Sequence, residues 1–330
     1  MRKDRAPRST RVDVARLAGV SPAVVSYVTN GGPRPVSQQV RARVEQAIAD
    51  LGYRPSKTAS ALARGRSQQV GLVVVDTTNP YYAELAAAID HELFVRGMTL
   101  VTVSAAHRPR DAQVSALESL IEYDVSAVIF AAGVAPSDEA LVKAKALPFV
   151  VLNEMVPPDG INAAVVDFRA ATVEAVRHLA AHGRRRIGFV GHFGRDLRYS
   201  SWRESLAELG LPEGTAVDCE WTIDSGYAAG RRLAAAPGAC DALFIASDEL
   251  AMGCIAGLHE AGLRIPDDVA IVSFDGTRSA RYIGPGLTTM AQPTDRIAAD
   301  VVDMVLNSGT PPGTHLHYQA EMTVRRSCGC

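Results

Sequence analysis

Cysteine is scarce in this chain of 330 residues: there are five, an odd number, at positions 219, 240, 254, 328 and 330. None belongs to a Cys-x-x-Cys pair, so neither a zinc module nor a disulfide framework is indicated, and the cysteines read as reduced thiols. Long apolar runs are also missing; none approaches the roughly 18 residues that a membrane helix needs. Met1 to Thr10 is basic but has no apolar core of the signal-peptide kind, so the expected location is the cytoplasm, with no membrane partner. Catalytic constellations are lacking too: there is no Gly-x-x-x-x-Gly-Lys-Ser/Thr phosphate loop, no His-Glu-x-x-His and no Gly-x-Ser-x-Gly. The glycines around Ile187 form only a loose pattern. Neither an enzyme nor a cofactor is expected.

What is present is ordinary globular composition, 47% hydrophobic and 21% charged, enough to bury a sizeable core. At this length two or three compact units are expected. The net charge of −2 conceals an asymmetry: residues 1–66 carry thirteen Lys/Arg against four Asp/Glu, a net of +9, and the other 264 residues carry −11. A basic head on an acidic body points to nucleic acid at one end.

The head shows helical patterning. Val12 to Ala18 is a short block stopped by Gly19, which can take the left-handed conformation that ends a helix. Ser21 then suits an N-cap and Pro22 the first helical position, where a missing N–H costs nothing. Val24, Val25 and Val28 supply apolar faces before Asn30-Gly31-Gly32 breaks the helix. A third helix runs from Ser37 to Gly52, with Val40, Val44, Ile48 and Leu51 inward and Arg41 and Arg43 outward. Two short helices around a glycine turn, backed by a third, form a helix-turn-helix that fits its second helix to a DNA major groove.

Val12-Asp13-Val14-Ala15, Ala18-Gly19-Val20-Ser21, Val25-Ser26, Asn30 and Leu51-Gly52-Tyr53-Arg54-Pro55 resemble the head of the lactose/galactose repressor (LacI/GalR) family. The resemblance implies a DNA site made by Ser21, Pro22, Ala23, Ser26, Tyr27, Asn30 and Tyr53, with Pro22, Ala23 and Tyr27 setting specificity. Pro22 and Ala23 offer only apolar contact, such as packing on a thymine methyl, while Tyr27 can donate one hydroxyl bond. Ser21 and Ser26 suit phosphates. Members of the family commonly carry Thr where this chain has Val24 and Arg where it has Tyr27, so an operator sequence cannot be transferred from them. The segment from Pro55 to Ser67 is too short for a stable isolated helix. In the family it is a hinge helix whose leucine, matched by Leu62, wedges into the minor groove. Ser56-Lys57 stands where the family usually has Asn-Ala.

Beyond Gln69, strand-like runs alternate with amphipathic stretches: Val70 to Val75, Tyr81 to Arg96, Thr99 to Ser104, Asp111 to Glu122. Further strands are expected near residues 127–130, 149–152, 164–166, 187–191, 242–246 and 269–274. This βα alternation predicts parallel sheets with helices on both faces, divided into two lobes near Asp167. Asn79-Pro80-Tyr81-Tyr82, Arg184-Arg185-Arg186-Ile187-Gly188-Phe189-Val190-Gly191, Ser247-Asp248-Glu249-Leu250-Ala251-Met252-Gly253 and Leu287-Thr288-Thr289 resemble the same family's periplasmic-binding-protein-like effector domain. That topology passes between lobes three times, which implies that the helix Thr294 to Leu306 returns to the first lobe.

Ligands of open α/β sheets sit at the carboxyl ends of strands. Asp76 and Tyr81 follow the first strand, Asn153 the strand at Phe149, Arg198 opens a helix after Gly191, Trp221 ends a short strand, and Ser247 and Asp275 end two more. The resemblance implies effector contacts at Asn153, Arg198, Trp221, Ser247 and Asp275, with Tyr81 or Tyr82 as an aromatic wall. Arg198 and Asp275 suit sugar hydroxyls and Trp221 an apolar sugar face. Asn153, Ser247 and Phe168 depart from the Asp, Asn and Asn frequent in the family, so a purine or nucleoside effector stays open. His178 and His182 share a helical face and read as a surface pair; Cys328-Gly329-Cys330 reads as a frayed tail, so no metal site is expected.

The resulting expectation is an α/β protein with a small all-α head: residues 1–54 for DNA binding, 55–67 as hinge, and 68–330 as a two-lobed effector and dimerisation domain crossing near 167 and 293. It implies a ligand-responsive repressor that binds a palindromic operator as a homodimer, with pairing into tetramers open. A solute-binding receptor shares the body but lacks the +9 head.

Overall fold

In the computed structural model, which describes residues 9–30, 35–53, 67–105, 110–132, 146–153, 157, 159–194, 196–236, 238–307 and 309–330, the first helix opens on a capping box. Thr10 accepts from the Asp13 N–H while Asp13 reaches back to the Thr10 backbone, and α1 (Arg11–Ala18) ends at Gly19 with φ 65°. The Ser21 hydroxyl accepts from the Val24 N–H at 3.4 Å and starts α2 (Pro22–Asn30). Ser37 caps α3 (Gln38–Leu51), and Gly52 closes it at φ 57°. Val14, Ala15, Ala18, Val25, Val44 and Ala47 form the buried core of this head, with Ile48, Leu51 and Tyr53 packed against it. Local signals set both ends of α1 and α3 and the start of α2.

The chain divides into Met1–Gln68 and Gln69–Cys330. The second unit contains two six-stranded sheets. The first is all parallel, in the order β11-β5-β4-β3-β1-β2, from β1 (Gln69–Val74), β2 (Thr99–Ser104), β3 (Ala127–Ala131), β4 (Phe149–Leu152), β5 (Asn162–Val166) and β11 (His315–Tyr318). The second has the order β12-β10-β9-β8-β6-β7, from β6 (Ile187–Gly191), β7 (Ala216–Asp218), β8 (Ala242–Ile245), β9 (Ala270–Asp275), β10 (Thr288–Ala291) and β12 (Glu321–Thr323). Only β12 runs antiparallel, against β10. The central strands β3, β4, β6, β8 and β9 are buried along their whole length, as expected of sheets covered on both faces, and α5 (Arg110–Glu122) packs on β1 and β2.

Three chain passages join the lobes. After β5 the chain enters α6 (Phe168–Ala181), which packs on the second sheet; after β10 it enters α10 (Thr294–Leu306), which packs on α4 (Pro80–Val95) in the first lobe; and β11 hands over to β12. The passages hold one another: the Asp167 N–H donates to the Tyr318 carbonyl at 2.9 Å, and the Gln319 amide donates to Asp167. Away from them, the Asn79 side-chain amide donates to Glu249, and the Arg278 N–H donates to Glu84 at 2.8 Å. The lobes are therefore joined by direct hydrogen bonds as well as by the chain passages.

Three expectations are corrected. The strands β11 and β12 carry no apolar run that marks them; their pairing is non-local. Trp221 lies three residues beyond β7 rather than at its end. The last residues are no frayed tail: Arg326–Cys328 form a 3₁₀ turn in which Ser327 and Cys328 are buried, and Cys330 Sγ lies 3.1 Å from His182 Nε2 and 3.4 Å from His178 Nε2. The histidines share a face of α6, as read, but a chain segment lies against them.

Helices α8 (Ile223–Ala234) and α9 (Asp248–Glu260) approach backbone to backbone through Gly226, Gly230, Gly253 and Gly257. A Cβ at Gly253 would overlap the carbonyl oxygen of Ile223 and crowd the Tyr227 nitrogen. Gly253→Ala is expected to lower stability by about 1 to 3 kcal/mol through overpacking, read as a lower urea midpoint. An unchanged midpoint would contradict the close approach.

Candidate functional site

Two groups of side chains stand out, one in each unit. In the head, Ser21, Pro22 and Ala23 are exposed at the start of α2, and Ser26 and Tyr27 are half-buried one turn on. Between them Val25 is fully buried, so one face of α2 is committed to the core and the other is left outward. Tyr53 is half-buried, its ring on the head core. Asn30 ends α2 without a described side chain, and Leu62 lies outside the described residues.

In the body, Arg198 is the centre. It is the second residue of α7 (Leu197–Glu208), whose N-cap, Asp196, accepts from both its backbone N–H and its Nε at 2.9 Å. The guanidinium donates to the Ala246 carbonyl at 2.6 Å and lies 4.7 Å from the Trp221 ring centre, 4.9 Å from Phe168 and 5.3 Å from Phe274. Three aromatic faces around one cation is a cation–π cage. Burial works against the charge, but Asp196, with help from Asp275, holds the Arg198 pKa above its ordinary value.

Asp275 ends β9 with φ 118°, a conformation that favours glycine, and is buried. Its carboxylate accepts from the Gln292 amide at 3.0 Å and from the Asp248 N–H at 3.3 Å. Burial pushes the carboxyl well above the ordinary range and Asp248 adds to this, while Arg198 opposes it. Tyr81 and Tyr82 contact edge-on at 5.2 Å between ring centres; burial raises both phenols, and the charge of Asp275 bears on each. Asn153, at φ 57° after β4, donates to the Tyr81 hydroxyl at 3.2 Å. Ser247 neighbours Ala246 and is itself the N-cap of α9, its hydroxyl accepting from Leu250 at 3.1 Å. Seven of the eight body residues singled out from the sequence therefore lie in one connected neighbourhood, with residues of both lobes; Asp76 instead accepts from the Thr78 N–H and hydroxyl at 2.8 Å and lies near Glu249.

Two residues of this neighbourhood carried no sequence signal. Phe274 is an ordinary strand residue until its ring is found under Arg198. Gln292 sits on the second passage between lobes, and its Oε1 is the one buried side-chain polar atom without a hydrogen-bond partner among the described residues. Asp248 is a different case. It is fully buried and collects donors from Ser273, Thr289, and both the backbone and hydroxyl of Thr277, at 2.5 to 2.9 Å. That satisfied carboxylate joins α9, β9 and β10 and serves the fold.

Among the described residues no helix is long and apolar enough to cross a membrane. Residues 11–56 match the model of bacterial regulatory proteins of the lacI family, and residues 176–328 that of the periplasmic binding protein-like domain. Catabolite control protein A of Priestia megaterium is 32% identical over 298 residues, spanning 88% of this chain and 89% of the relative. The ribose operon repressor of Escherichia coli K12 is 30% identical, spanning 92% and 94% of the two chains. The repressor PurR of Edwardsiella ictaluri is 30% identical over 91% and 90%. A lac repressor dimer bound to operator and the anti-inducer ONPF shares the fold, with a TM-score of 0.83 over 98% and 99% of the chains at 24% identity. The regulator CelR in complex with cellobiose has a TM-score of 0.70 at 28% identity over 97% and 100%. A helix-turn-helix head with a periplasmic-binding-protein-like body defines the class, a DNA-binding transcriptional regulator. The chain belongs to the lacI family of bacterial regulatory proteins.

The raised Asp275 pKa has a signed consequence. A carboxyl that binds its proton more tightly folded than unfolded contributes stability that is full below the unfolded pKa, about 4. That contribution is lost as pH rises through the folded value. Asp275→Asn is expected to gain on the parent protein, in urea midpoints, as pH is raised above about 4. A difference between the two that is constant with pH would contradict the shift.

Proposed function

We propose that this regulator is a repressor that binds a two-fold operator as a homodimer and is released from it by a small polyhydroxylated ligand, a sugar, held between the two lobes. The observation that carries the reading is the half-buried Arg198 in its aromatic cage beside Asp275 and Gln292. The carboxylate of Asp275 has few donors, the Gln292 oxygen has none, and hydroxyl groups of a sugar supply donors to both. Trp221 and Tyr82 add aromatic surface for its apolar faces. The body relatives named as ribose operon repressor and CelR–cellobiose complex fit a sugar. Asn153, Arg198, Ser247, Tyr81 and Tyr82 complete the ligand site in this proposal. PurR among the relatives keeps a purine as the second reading, favoured by the aromatic surface of Tyr82, Trp221 and Phe168. No catalytic step is assigned to any of these groups.

In the head, Ser21 and Ser26 contact phosphates and Pro22, Ala23 and Tyr27 face the bases, with Asn30 and Tyr53 flanking. Residues 1–54 form the reading head, 55–67 the hinge with Leu62 as minor-groove wedge, and 68–330 the ligand and dimer unit. A single recognition helix spans too few bases for specificity, so a two-fold protein on a two-fold site follows. The body offers exposed apolar residues for pairing, among them Phe94 and Tyr282 at 76% and 77% exposure. Ligand coupling to the head requires only about 1 to 3 kcal/mol.

The test is fluorescence anisotropy on the chain's own upstream DNA against random duplex at fixed salt, with panels of sugars and nucleosides. Preferential binding that one sugar weakens is expected, with Leu62→Ala losing far more affinity for the upstream DNA than for random duplex. A response to a nucleoside alone would select the second reading. Equal binding to both duplexes under every condition would refute the assignment of the head as a sequence reader.

A further inference from the structure

The closing turn of the chain and the C-terminal end of α6 bring two thiols and two imidazoles together, from segments about 150 residues apart in sequence. The sulfurs of Cys328 and Cys330 are 3.0 Å apart, and the His178 and His182 ring centres 4.7 Å. Donor atoms of His178, Cys328 and Cys330 all lie within 4.8 Å of one another, and His182 Nε2 lies 3.1 Å from Cys330 Sγ. A sulfur pair at 3.0 Å is not a disulfide, whose bond is about 2.05 Å.

The donors are held in pairs by two parts of the fold. The two histidines stand four residues apart on α6, His182 as its C-cap. Cys328 is fully buried in the turn Arg326–Cys328, which is pinned to the second sheet. Ser327 donates to the Ile271 carbonyl at 2.7 Å and accepts from the Thr288 N–H at 2.8 Å. Gly329, at φ 94°, turns the chain so that Cys330 comes back over the histidines. The Thr288 hydroxyl donates to Cys328 Sγ at 3.2 Å, the kind of outer contact that steadies a thiolate ligand.

We infer that Cys328, Cys330, His178 and His182 form a Cys2His2 site for a zinc ion that clasps the end of the chain to the first helix of the second lobe. The set is chemically that of structural zinc: two sulfurs and two imidazole nitrogens, no carboxylate, four ligands. With bonds of about 2.3 Å to sulfur and 2.0 Å to nitrogen, tetrahedral zinc spaces its ligand atoms about 3.3 to 3.8 Å apart. A tetrahedral ion would open the Cys330 sulfur from His182 Nε2, now at 3.1 Å, by about 0.4 Å and from Cys328 Sγ, now at 3.0 Å, by about 0.8 Å, and would draw in His182, which stands outside the group of three donors. The ligands come as a helical His pair and a Cys-x-Cys turn, which is why Cys-x-x-Cys spacing does not reveal them. The clasp is independent of the ligand site at the lobe interface.

The test uses the full-length protein, reduced with a phosphine, loaded with zinc and passed through a desalting column before metal analysis. Stoichiometric zinc is expected to remain, and cobalt in its place to show the thiolate charge-transfer and intense visible bands of a tetrahedral ion. Cys330→Ser and His182→Ala alter exposed residues, so the fold stands without them. Each is expected to weaken zinc affinity by on the order of tenfold or more, since losing even an outer-shell partner costs that much. The thiol of Cys330 is expected to resist alkylation only with zinc present. Zinc lost on the column, or retained equally by both variants, would overturn the site; so would alkylation unaffected by zinc.

Discussion

Two carboxylates buried in the second lobe, Asp248 and Asp275, set the terms for what surrounds them, because a charge removed from water must be neutralised or hydrogen-bonded. They are treated differently. Asp248 gathers four donors from Ser273, Thr277 and Thr289 and so locks α9 to the strands beside it. Asp275 receives one amide and one long backbone contact, and burial together with Asp248 outweighs the opposing Arg198 and raises its carboxyl. A satisfied carboxylate builds structure; an under-supplied one beside a caged cation is suited to a ligand that brings its own donors.

If the proposed ligand occupies the Asp275 neighbourhood, it touches residues of both lobes. Tyr81, Tyr82 and Asn153 belong to the first lobe, Arg198, Trp221 and Asp275 to the second, and Gln292 to a passage between them. The same interface carries the Asn79–Glu249 bond, in which burial and the nearby Asp76 raise the Glu249 carboxyl. A ligand that contacts both lobes changes the free-energy balance of their closure, and three chain passages carry that change through the body. Two-state closure of this kind needs only a modest differential affinity to be useful to a regulator.

Much of this was legible in the sequence where the physics is local. The head's helix ends follow from Thr10, Ser21, Ser37, Gly19 and Gly52, each acting on neighbours within four residues. The central strands announced themselves as apolar β-branched runs. What escaped depends on topology. Strands β11 and β12 are short and partly exposed, and their partners lie far off in sequence, in one case 152 residues away. Gln292 matters because of the passage it occupies, and Phe274 because of a ring placed under a guanidinium. His178, His182 and the Cys328-Gly329-Cys330 turn each look ordinary alone and acquire chemistry only when the second sheet brings the chain's end across α6.

In the proposed mechanism the ligand held at the Asp275 neighbourhood and the DNA held by α2 compete through one conformational equilibrium. Linkage makes the effect reciprocal: whatever factor the ligand takes from DNA affinity, DNA must take from ligand affinity. The direct measurement is a calorimetric titration of the responsive sugar into the free regulator and into the regulator saturated with its upstream DNA. Ligand binding is expected to be weakened by DNA, by a factor of about 5 to 150, equal to the loss in DNA affinity at saturating ligand. Identical ligand affinity with and without DNA would show that the two units are uncoupled and would rule out this competition.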